Sequence, residues 1–161
     1  GPLRSQLEAQ ANANGLGNRL VFVGFVKNVA RTLSAFDLSV FPSLWEGTPL
    51  TAFEALAMGK PIVATDADGL LDILTRDRDA LIVPKRNASA LAEKIIWLMD
   101  HPEEKERLGR AARLTGERYD IAAFVRKMER LYLLLHDGSR STRRRGLTGS
   151  DLSFLDNGAS V

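Results

Sequence analysis

Two carboxylates in the middle of the chain, Glu46 and Glu54, are the residues whose type and spacing most clearly suggest chemistry. Seven residues separate them, and Gly47, Thr48 and Pro49 directly follow the first. An ionised carboxylate offers two acceptor oxygens, so it can hold two neighbouring hydroxyl groups through charge-assisted hydrogen bonds. The pair is therefore suited to binding a polyhydroxylated ligand, although each residue could instead be an ordinary solvated glutamate.

The residues around Glu46 predict a strand that leads through a loop into a helix. Leu38–Phe41 is a short apolar run of the kind that forms a buried strand. Thr48 followed by Pro49 predicts a helix start, with the hydroxyl as N-cap and the proline at the first helical position. Because the first N–H groups of a helix lack intrahelical partners, the segment from Gly47 to Leu50 is suited to binding phosphate or sugar oxygens.

The helix after this loop is predicted to bury one stripe and to end before a second strand. Leu50, Phe53 and Ala57 repeat at helical spacing and predict the buried face. Gly59 predicts the end of the helix, and Ile62–Ala64 is typical of a strand buried on both faces. In open α/β sheets, ligands bind at the carboxyl ends of the strands, which is where this loop is expected to lie.

This unit resembles the Glu-seven-residues-Glu motif of retaining GT-B glycosyltransferases, most closely glycosyltransferase family 4. The matching residues extend to both sides of the pair: Pro42-Ser43, Glu46-Gly47, Glu54-Ala55, Ala57 and the whole run from Gly59 to Thr65. The family then has two glycines and an acidic residue three positions on. Here the sequence is Asp68-Gly69-Leu70-Leu71-Asp72, so the first glycine is replaced and the acid is an aspartate.

The resemblance implies a role for each residue of the motif. Glu46 is implied as the catalytic-centre carboxylate that accepts hydrogen bonds from the donor sugar. Together with Gly47, Thr48, Pro49 and Leu50, it would bind the sugar and the phosphates. Glu54 would accept hydrogen bonds from the ribose of the nucleotide. Val26 lies where the family places a loop that meets the base, although Gly24-Phe25-Val26 could equally be a plain strand end.

The order of the predicted elements indicates an α/β fold with a Rossmann-like parallel sheet and flanking helices. The resemblance identifies it as the C-terminal, donor-binding half of the GT-B fold, covering residues 1–136. Residues 137–161 are predicted to be a disordered basic tail, because Gly, Ser, Thr and Arg follow one another without period. Further strands are predicted at Leu20–Val23 and Ala80–Val83, and helices at Leu3–Asn14, Val29–Phe36, Gly69–Leu74, Ala88–Met99, Glu103–Tyr119 and Ile121–Leu135.

Gly1-Pro2-Leu3-Arg4 resembles the end of the family's Gly-x-Gly-Pro turn, although Gly-Pro could also be a protease scar. On this comparison the chain begins after two strands of its own domain, and an acceptor-binding domain would precede it. The missing strands would lie between Leu20–Val23 and Leu38–Phe41. Either these two segments pair directly, or Leu38–Phe41 keeps an open edge. The charged helix Glu103–Tyr119 is expected to be exposed over most of its surface.

The implied reaction is transfer of a glycosyl group, with retention, from a nucleotide-sugar to a hydroxyl of a carbohydrate, lipid or small-molecule acceptor. The family needs no metal or other cofactor, and it holds the phosphates with helix dipoles, an Arg and a Lys. Those two side chains would belong to the missing strands, so the fragment alone is expected to be inactive. Two alternatives stay open: a sugar-nucleotide epimerase of the same fold, and a non-catalytic nucleotide-binding or interaction domain.

Composition limits the other function classes. The chain has no cysteine and no signal-peptide pattern, which fits a cytoplasmic protein. Residues 1–137 hold equal numbers of acidic and basic side chains, so no nucleic-acid partner is expected. Arg143-Arg144-Arg145 leaves a membrane surface open as a partner, but a solvated tail is favoured. No Gly-x-Gly-x-x-Gly or metal-ligand cluster is present in the sequence.

Overall fold

A computed structural model describes residues 1–141 and 149–153 of the chain. Three parallel strands form one sheet in the order β1-β2-β3, with helices before, between and after them. The strands are β1 Ser39–Phe41, β2 Ile62–Thr65 and β3 Ala80–Val83. The helices are α1 Arg4–Ala13, α2 Val29–Ser34, α3 Leu50–Ala57, α4 Asp68–Leu71, α5 Ala88–Asp100, α6 Pro102–Gly116, α7 Ile121–Ser141 and α8 Gly149–Leu152. The predicted α/β fold with a parallel sheet is confirmed.

The central strand β2 is buried on both faces, as its unbroken apolar sequence predicts. On one face, Ile62 and Ala64 pack in a core with residues of α3, α4 and α6. On the other face, Val63 packs with Leu98 of α5 and Leu108 of α6. Apolar burial on both sides stabilises this strand and fixes its register between β1 and β3. Because the three strands are parallel, their carboxyl ends lie at the same edge of the sheet.

Helix α3 buries a different face from the one that the sequence predicts. Ala52, Ala55 and Leu56 are completely buried, whereas Leu50 is 69% exposed and Ala57 is also exposed. Small alanines on the inner face allow α3 to pack closely on the sheet, so the larger Leu50 lies on the solvent side. The predicted stripe of Leu50, Phe53 and Ala57 is wrong because helical spacing defines possible faces but not which one meets the core.

Helix α6 is packed against α3 and the sheet, contrary to the expectation that it is mostly exposed. A Cβ atom on Gly116 would lie 2.7 Å from the carbonyl carbon of Leu56, and one on Gly109 would lie 2.8 Å from the carbonyl oxygen of Gly59. These glycines let the two helices approach backbone to backbone. The buried stripe of α6 consists mainly of small residues, Leu108, Gly109, Ala112, Thr115 and Gly116. Small residues are only weakly hydrophobic, so a hydrophobicity pattern does not predict that this stripe is buried.

The predicted strand at Leu20–Val23 does not form. Residues 21–26 have no regular secondary structure, and Val21 and Val23 are 71% and 63% exposed. The extended backbone at Leu20 has no neighbouring strand to pair with. A β-strand is stabilised by its ladder and by packing of its faces, neither of which this segment has. Within the described residues, the outer edge of β1 is therefore unpaired.

Helix α7 is amphipathic as predicted, but it continues to Ser141, past the predicted domain end at residue 136. Its apolar residues Ile121, Phe124 and Tyr132 are each more than half exposed. Within the predicted tail, α8 is also helical, and the prediction of disorder for residues 142–148 and 154–161, including the arginine run, lies outside the described residues. No helix in the described part of the chain has the length and apolarity needed to span a membrane.

Candidate functional site at the carboxyl edge of the sheet

The loop between β1 and α3 lies at the carboxyl edge of the sheet, and α4 holds it there. The backbone N–H of Gly69, in α4, donates a hydrogen bond of 3.2 Å to the carbonyl of Glu46. A Cβ on Gly69 would lie 2.6 Å from that same carbonyl oxygen and would also collide with the carbonyl of Gly47. Only a glycine permits this approach of α4 to the loop. The segments after β1 and after β2 are thus joined at Glu46.

The carboxylate of Glu46 is half-buried and held in place from its own loop. The Ser43 hydroxyl donates to Glu46 Oε1 over 2.6 Å. Thr65, the last residue of β2, donates through Oγ1 to the carbonyl of Ser43. The second oxygen of Glu46 has no hydrogen bond among the described contacts. This arrangement fixes one carboxylate oxygen and leaves the other to accept from a ligand.

The start of α3 differs in detail from the sequence prediction. The helix begins at Leu50, and Pro49 is its N-cap residue with no side-chain capping hydrogen bond. The Pro49 carbonyl accepts from Ala52 N–H at 2.8 Å, and Thr48 is exposed. The prediction that Thr48 caps the helix and that Pro49 is its first residue is therefore wrong by one position. The hydrogen bond from Gly69 to Glu46 holds the loop from outside and so sets the residue at which α3 begins. The Thr48 hydroxyl therefore makes no capping hydrogen bond to the first turn.

The first N–H groups of α3 still face the carboxyl edge without acceptors in the helix itself. They belong to Leu50 and Thr51, and they immediately follow the Glu46–Pro49 loop. The positive end of the helix dipole lies at the same place. These features suit an anion, and that the Gly47–Leu50 segment binds one stays a prediction.

Glu54 lies on the second turn of α3 and is exposed. It is on the helix face away from the sheet, the face that it shares with Leu50 and Ala57. Within the described residues its carboxylate has neither a hydrogen bond nor an ion pair. Both of its oxygens are available to vicinal hydroxyl groups. That Glu46 and Glu54 face one cleft stays a prediction.

Val26 lies outside this cluster of elements. It is half-buried in the unpaired segment that precedes α2. Asn28 caps that helix, and its side-chain oxygen accepts a hydrogen bond from the backbone N–H of Arg31. Neighbouring Phe25 is 92% exposed. The segment has no strand partner in the described residues, and it is contacted by α1, since Arg4 donates a hydrogen bond to the carbonyl of Phe22. Its contact with a nucleotide base stays a prediction.

A groove of about 400 Å³ lies beside the start of α3. Thr48, Leu50 and Phe53 form one wall. The other wall is formed by Arg118, Tyr119, Asp120, Ile121, Ala123, Phe124 and Lys127. The Phe53 ring meets Tyr119 edge-on, with centroids 4.7 Å apart. Neither Glu46 nor Glu54 lines the groove. The groove lies next to the Gly47–Leu50 segment, the predicted sugar and phosphate site, and shares Thr48 and Leu50 with it.

Sequence reasoning did not assign roles to three residues that shape this edge of the sheet. Ser43 and Thr65 support Glu46, and Asp66 accepts a hydrogen bond of 2.7 Å from the backbone N–H of Lys85. Lys85 Nζ lies 3.7 Å from Asp68 Oδ1 at the start of α4. Ser43 and Thr65 stood within the matched motif; the Ser43–Glu46 contact is local to one loop, whereas the Thr65–Ser43 contact crosses between segments. No group of three or more His, Cys, Asp or Glu side chains placed to hold a metal occurs in the described residues.

The fold and this site define an α/β domain that presents a glutamate-bearing loop and a helix N-terminus at the carboxyl edge of a parallel sheet. The chain belongs to the family described as "Glycosyl transferases group 1", whose sequence profile matches residues 1–115. The match includes the whole Glu46–Glu54 unit.

Curated relatives and solved structures agree with this membership. The chain is 38% identical over 108 residues to the lipopolysaccharide core biosynthesis glycosyltransferase LpsD of Rhizobium meliloti, covering 67% of this chain and 32% of that protein. It is 29% identical over 135 residues to the alpha-D-kanosaminyltransferase of Streptomyces kanamyceticus, covering 82% of this chain and 35% of that protein. The chain therefore spans about a third of the length of the curated relatives it matches.

Among solved structures, the sucrose-phosphate synthase from Thermosynechococcus elongatus superposes with a TM-score of 0.80 at 30% identity, covering 86% of this chain and 35% of that one. The Anabaena protein HepE, solved in complex with UDP-glucose, superposes with a TM-score of 0.76 at 22% identity, covering 80% of this chain and 36% of that one. At that identity HepE supports the fold alone. The neighbours are GT-B glycosyltransferases, so the predicted fold class is confirmed by comparison as well as by topology.

Proposed function

We propose that this chain is the donor-binding part of an enzyme that transfers a glycosyl group from a nucleotide-sugar to an acceptor hydroxyl with retention. The observation that carries the proposal is the placement of Glu46. Its carboxylate is held at the carboxyl end of β1, one loop before the N-terminus of α3, in a chain of the group 1 glycosyltransferase family. Sugar hydroxyls and a diphosphate are the ligand groups that suit a carboxylate next to a helix start.

In this proposal Glu46 is the catalytic residue that contacts the donor sugar. Its unpaired oxygen accepts from sugar hydroxyls, while Ser43 occupies the other. Gly47 and Thr48, which are exposed, form the wall of the sugar site. Pro49, which is buried, fixes the backbone between them and α3, and the N–H groups from Leu50 onward bind phosphate oxygens. The helix dipole stabilises the negative charge that develops on the leaving diphosphate. No metal ion or other cofactor is needed for these contacts.

Glu54 and Val26 are assigned to the nucleotide. Glu54 is exposed on the outer face of α3, one turn beyond the phosphate-binding end, and both its oxygens can accept from the two ribose hydroxyls. Val26 would meet the base through its backbone. A nucleotide-sugar is proposed as the donor, the class of ligand with which HepE, a protein of the same fold, is solved. The acceptor would bind elsewhere in the complete protein, for which a cytoplasmic location is proposed.

The proposal is tested by calorimetry and turnover with the complete protein. UDP, GDP and ADP are titrated first, and the corresponding nucleotide-sugars are then tested for transfer, with the anomeric configuration of the product read by NMR. Glu54→Ala should weaken binding of the preferred nucleotide about ten- to hundredfold, because it removes hydrogen bonds to a charged group. Glu46→Ala should depress turnover by a similar factor and change nucleotide affinity much less.

Glu129→Ala provides the matched control, since Glu129 is an exposed glutamate on α7, away from the loop. It should leave both affinity and turnover at the level of the unsubstituted protein. Equal losses of nucleotide affinity in Glu46→Ala and Glu54→Ala would show that the two roles are wrongly divided. An inverted product would remove retention from the proposal, and binding without transfer to any acceptor would favour a non-catalytic domain.

A further inference from the structure

We propose that Ser43 is a positioning residue that holds the Glu46 carboxylate for the reaction, and that Gly69 holds the backbone of the same residue. This inference rests on the proposed function, in which Glu46 contacts the donor sugar. The two anchors come from different segments, one from the loop after β1 and one from α4 after β2. They act on the side chain and on the main chain of a single residue.

The first anchor is the hydrogen bond of 2.6 Å from Ser43 Oγ to Glu46 Oε1. Ser43 is itself half-buried, and its carbonyl accepts from the hydroxyl of Thr65. Thr65 is 4% exposed at the end of the fully buried strand β2. A chain of hydrogen bonds therefore connects the carboxylate to the central, fully buried strand of the sheet. Glutamate has three side-chain torsions, so without Ser43 its carboxylate would sample several orientations.

The second anchor is the contact between Gly69 and the Glu46–Gly47 peptide. The Gly69 N–H donates to the Glu46 carbonyl at 3.2 Å, and there is no room for a Cβ between them. The φ of Gly69 is not among the positive values of the chain, so its backbone conformation does not require a glycine. The close approach of the Glu46–Gly47 peptide does require one, because it leaves no space for a Cβ. A side chain at this position would displace the peptide that carries Glu46.

Holding a reacting group within about half an ångström of its working position is a general requirement of catalysis. Nucleotide binding, by contrast, depends in the proposed site on Glu54 and the first turn of α3, which Ser43 does not contact through any hydrogen bond in the described residues. Loss of the Ser43 hydroxyl should therefore act on turnover more than on nucleotide affinity. That division separates positioning of Glu46 from a general loosening of the domain.

The experiment compares Ser43→Ala and Ser43→Thr in the complete protein. Ser43→Ala should lower kcat about tenfold and change the KM for the nucleotide-sugar less than about threefold. Ser43→Thr keeps the hydroxyl and should recover most of the lost kcat. Ser89→Ala is the matched control, because Ser89 Oγ also donates to a carboxylate, Glu93 Oε1 at 3.1 Å, on the exposed surface of α5. It should leave kcat and KM unchanged.

A second measurement does not depend on turnover. The unfolding midpoints of Ser43→Ala, Glu46→Ala and the double variant form a mutant cycle, and Ser43→Ala should have almost no further effect when Glu46 is absent. Additive shifts would overturn the hydrogen-bond anchor. If Glu46→Ala leaves turnover intact while the cycle still shows coupling, the proposed catalytic role of Glu46 fails but the anchor stands. If Glu46→Ala abolishes turnover and Ser43→Ala has no effect on kcat, the positioning role fails alone.

The backbone anchor is tested by Gly69→Ala beside Gly149→Ala. A Cβ on Gly149 would meet no atom within 4 Å, so this control should leave kcat unchanged. Gly69→Ala should lower kcat at least as much as Ser43→Ala, because it moves the Glu46–Gly47 peptide itself. An unchanged kcat in Gly69→Ala would show that the approach of α4 does not set the position of Glu46.

Discussion

The hydroxyl of Thr115 donates a hydrogen bond of 2.8 Å to Asp79 Oδ2, joining the end of α6 to the turn before β3. Both side chains are buried, Asp79 completely. The other carboxylate oxygen accepts from the backbone N–H of Thr75 at 2.7 Å. The acid thus has partners on both oxygens, which is the condition under which a buried carboxylate is tolerated. This contact also brings Tyr119, four residues after Thr115, towards Phe53 and the site.

We expect Thr115→Val to lower the free energy of unfolding by about 2 kcal/mol. Valine has nearly the same shape but leaves one oxygen of a buried carboxylate without its donor. Thr115→Ser keeps the hydroxyl and should lose less than half as much. Urea denaturation followed by circular dichroism measures both. Equal losses in the valine and serine variants would mean that packing, and not the hydrogen bond, accounts for the effect.

The stability of the domain should fall at alkaline pH through Tyr119. Burial raises the pKa of its phenol above the ordinary value of about 10, and the nearby acids Asp79 and Asp72 add to the shift while Arg118 opposes it. The folded state therefore favours the neutral phenol. Its stabilising contribution is complete below pH of about 10, the unfolded pKa, and is lost as pH rises through the higher folded pKa.

Tyr119→Phe keeps the ring against Phe53 and removes the ionisation. Unfolding free energies from urea titrations at pH 8 and at several values above 10 should fall less steeply in this variant than in the unsubstituted chain. All other titrating groups are common to both proteins, so their contributions cancel in the difference. Curves that remain parallel above pH 10 would contradict the raised pKa.

The unpaired edge of β1 should promote self-association of the chain. Val40 is 37% exposed in a strand that pairs only with β2 among the described residues, and unpaired strand edges are templates for intermolecular pairing. Val40→Lys should therefore slow the concentration-dependent rise of light scattering by the purified chain. Leu114→Lys is the control. Leu114 is 63% exposed on α6, so this substitution adds the same charge away from the edge of β1. Equal slowing by the two substitutions would assign the effect to net charge.

The sequence by itself predicted the three strands that pair and most of the helices, and it singled out Glu46 and Glu54 as candidate site residues. Short apolar runs predicted all three strands that pair, and Gly59 predicted the end of α3. Glu46 and Glu54 were selected because their type and spacing, with the residues around them, are local properties of the chain. Such local signals survive folding where the backbone conformation of a segment depends mainly on its near neighbours.

Only the tertiary structure decided which faces and contacts these elements use. The helical spacing around Leu50 was correct for a helix, but the position of α6 and the sheet selected Ala52, Ala55 and Leu56 as the buried face. The N-cap moved from Thr48 to Pro49 because the loop is held from outside. Leu20–Val23 has strand-like residues but no partner, and a strand depends on its neighbours for stability.

The same distinction applies to the support of Glu46. Nothing in the residue types of Thr65 and Gly69 indicates that Thr65 bonds the Ser43 carbonyl and Gly69 the Glu46 carbonyl, since both are distant in sequence from the loop. These two contacts appear only when parallel pairing brings the carboxyl ends of β1 and β2 to one edge. Hydrogen bonds and close packing act over a few ångströms in space, whereas sequence patterns record separation along the chain. That is why the sequence located the carboxylate, and only the fold revealed what holds it.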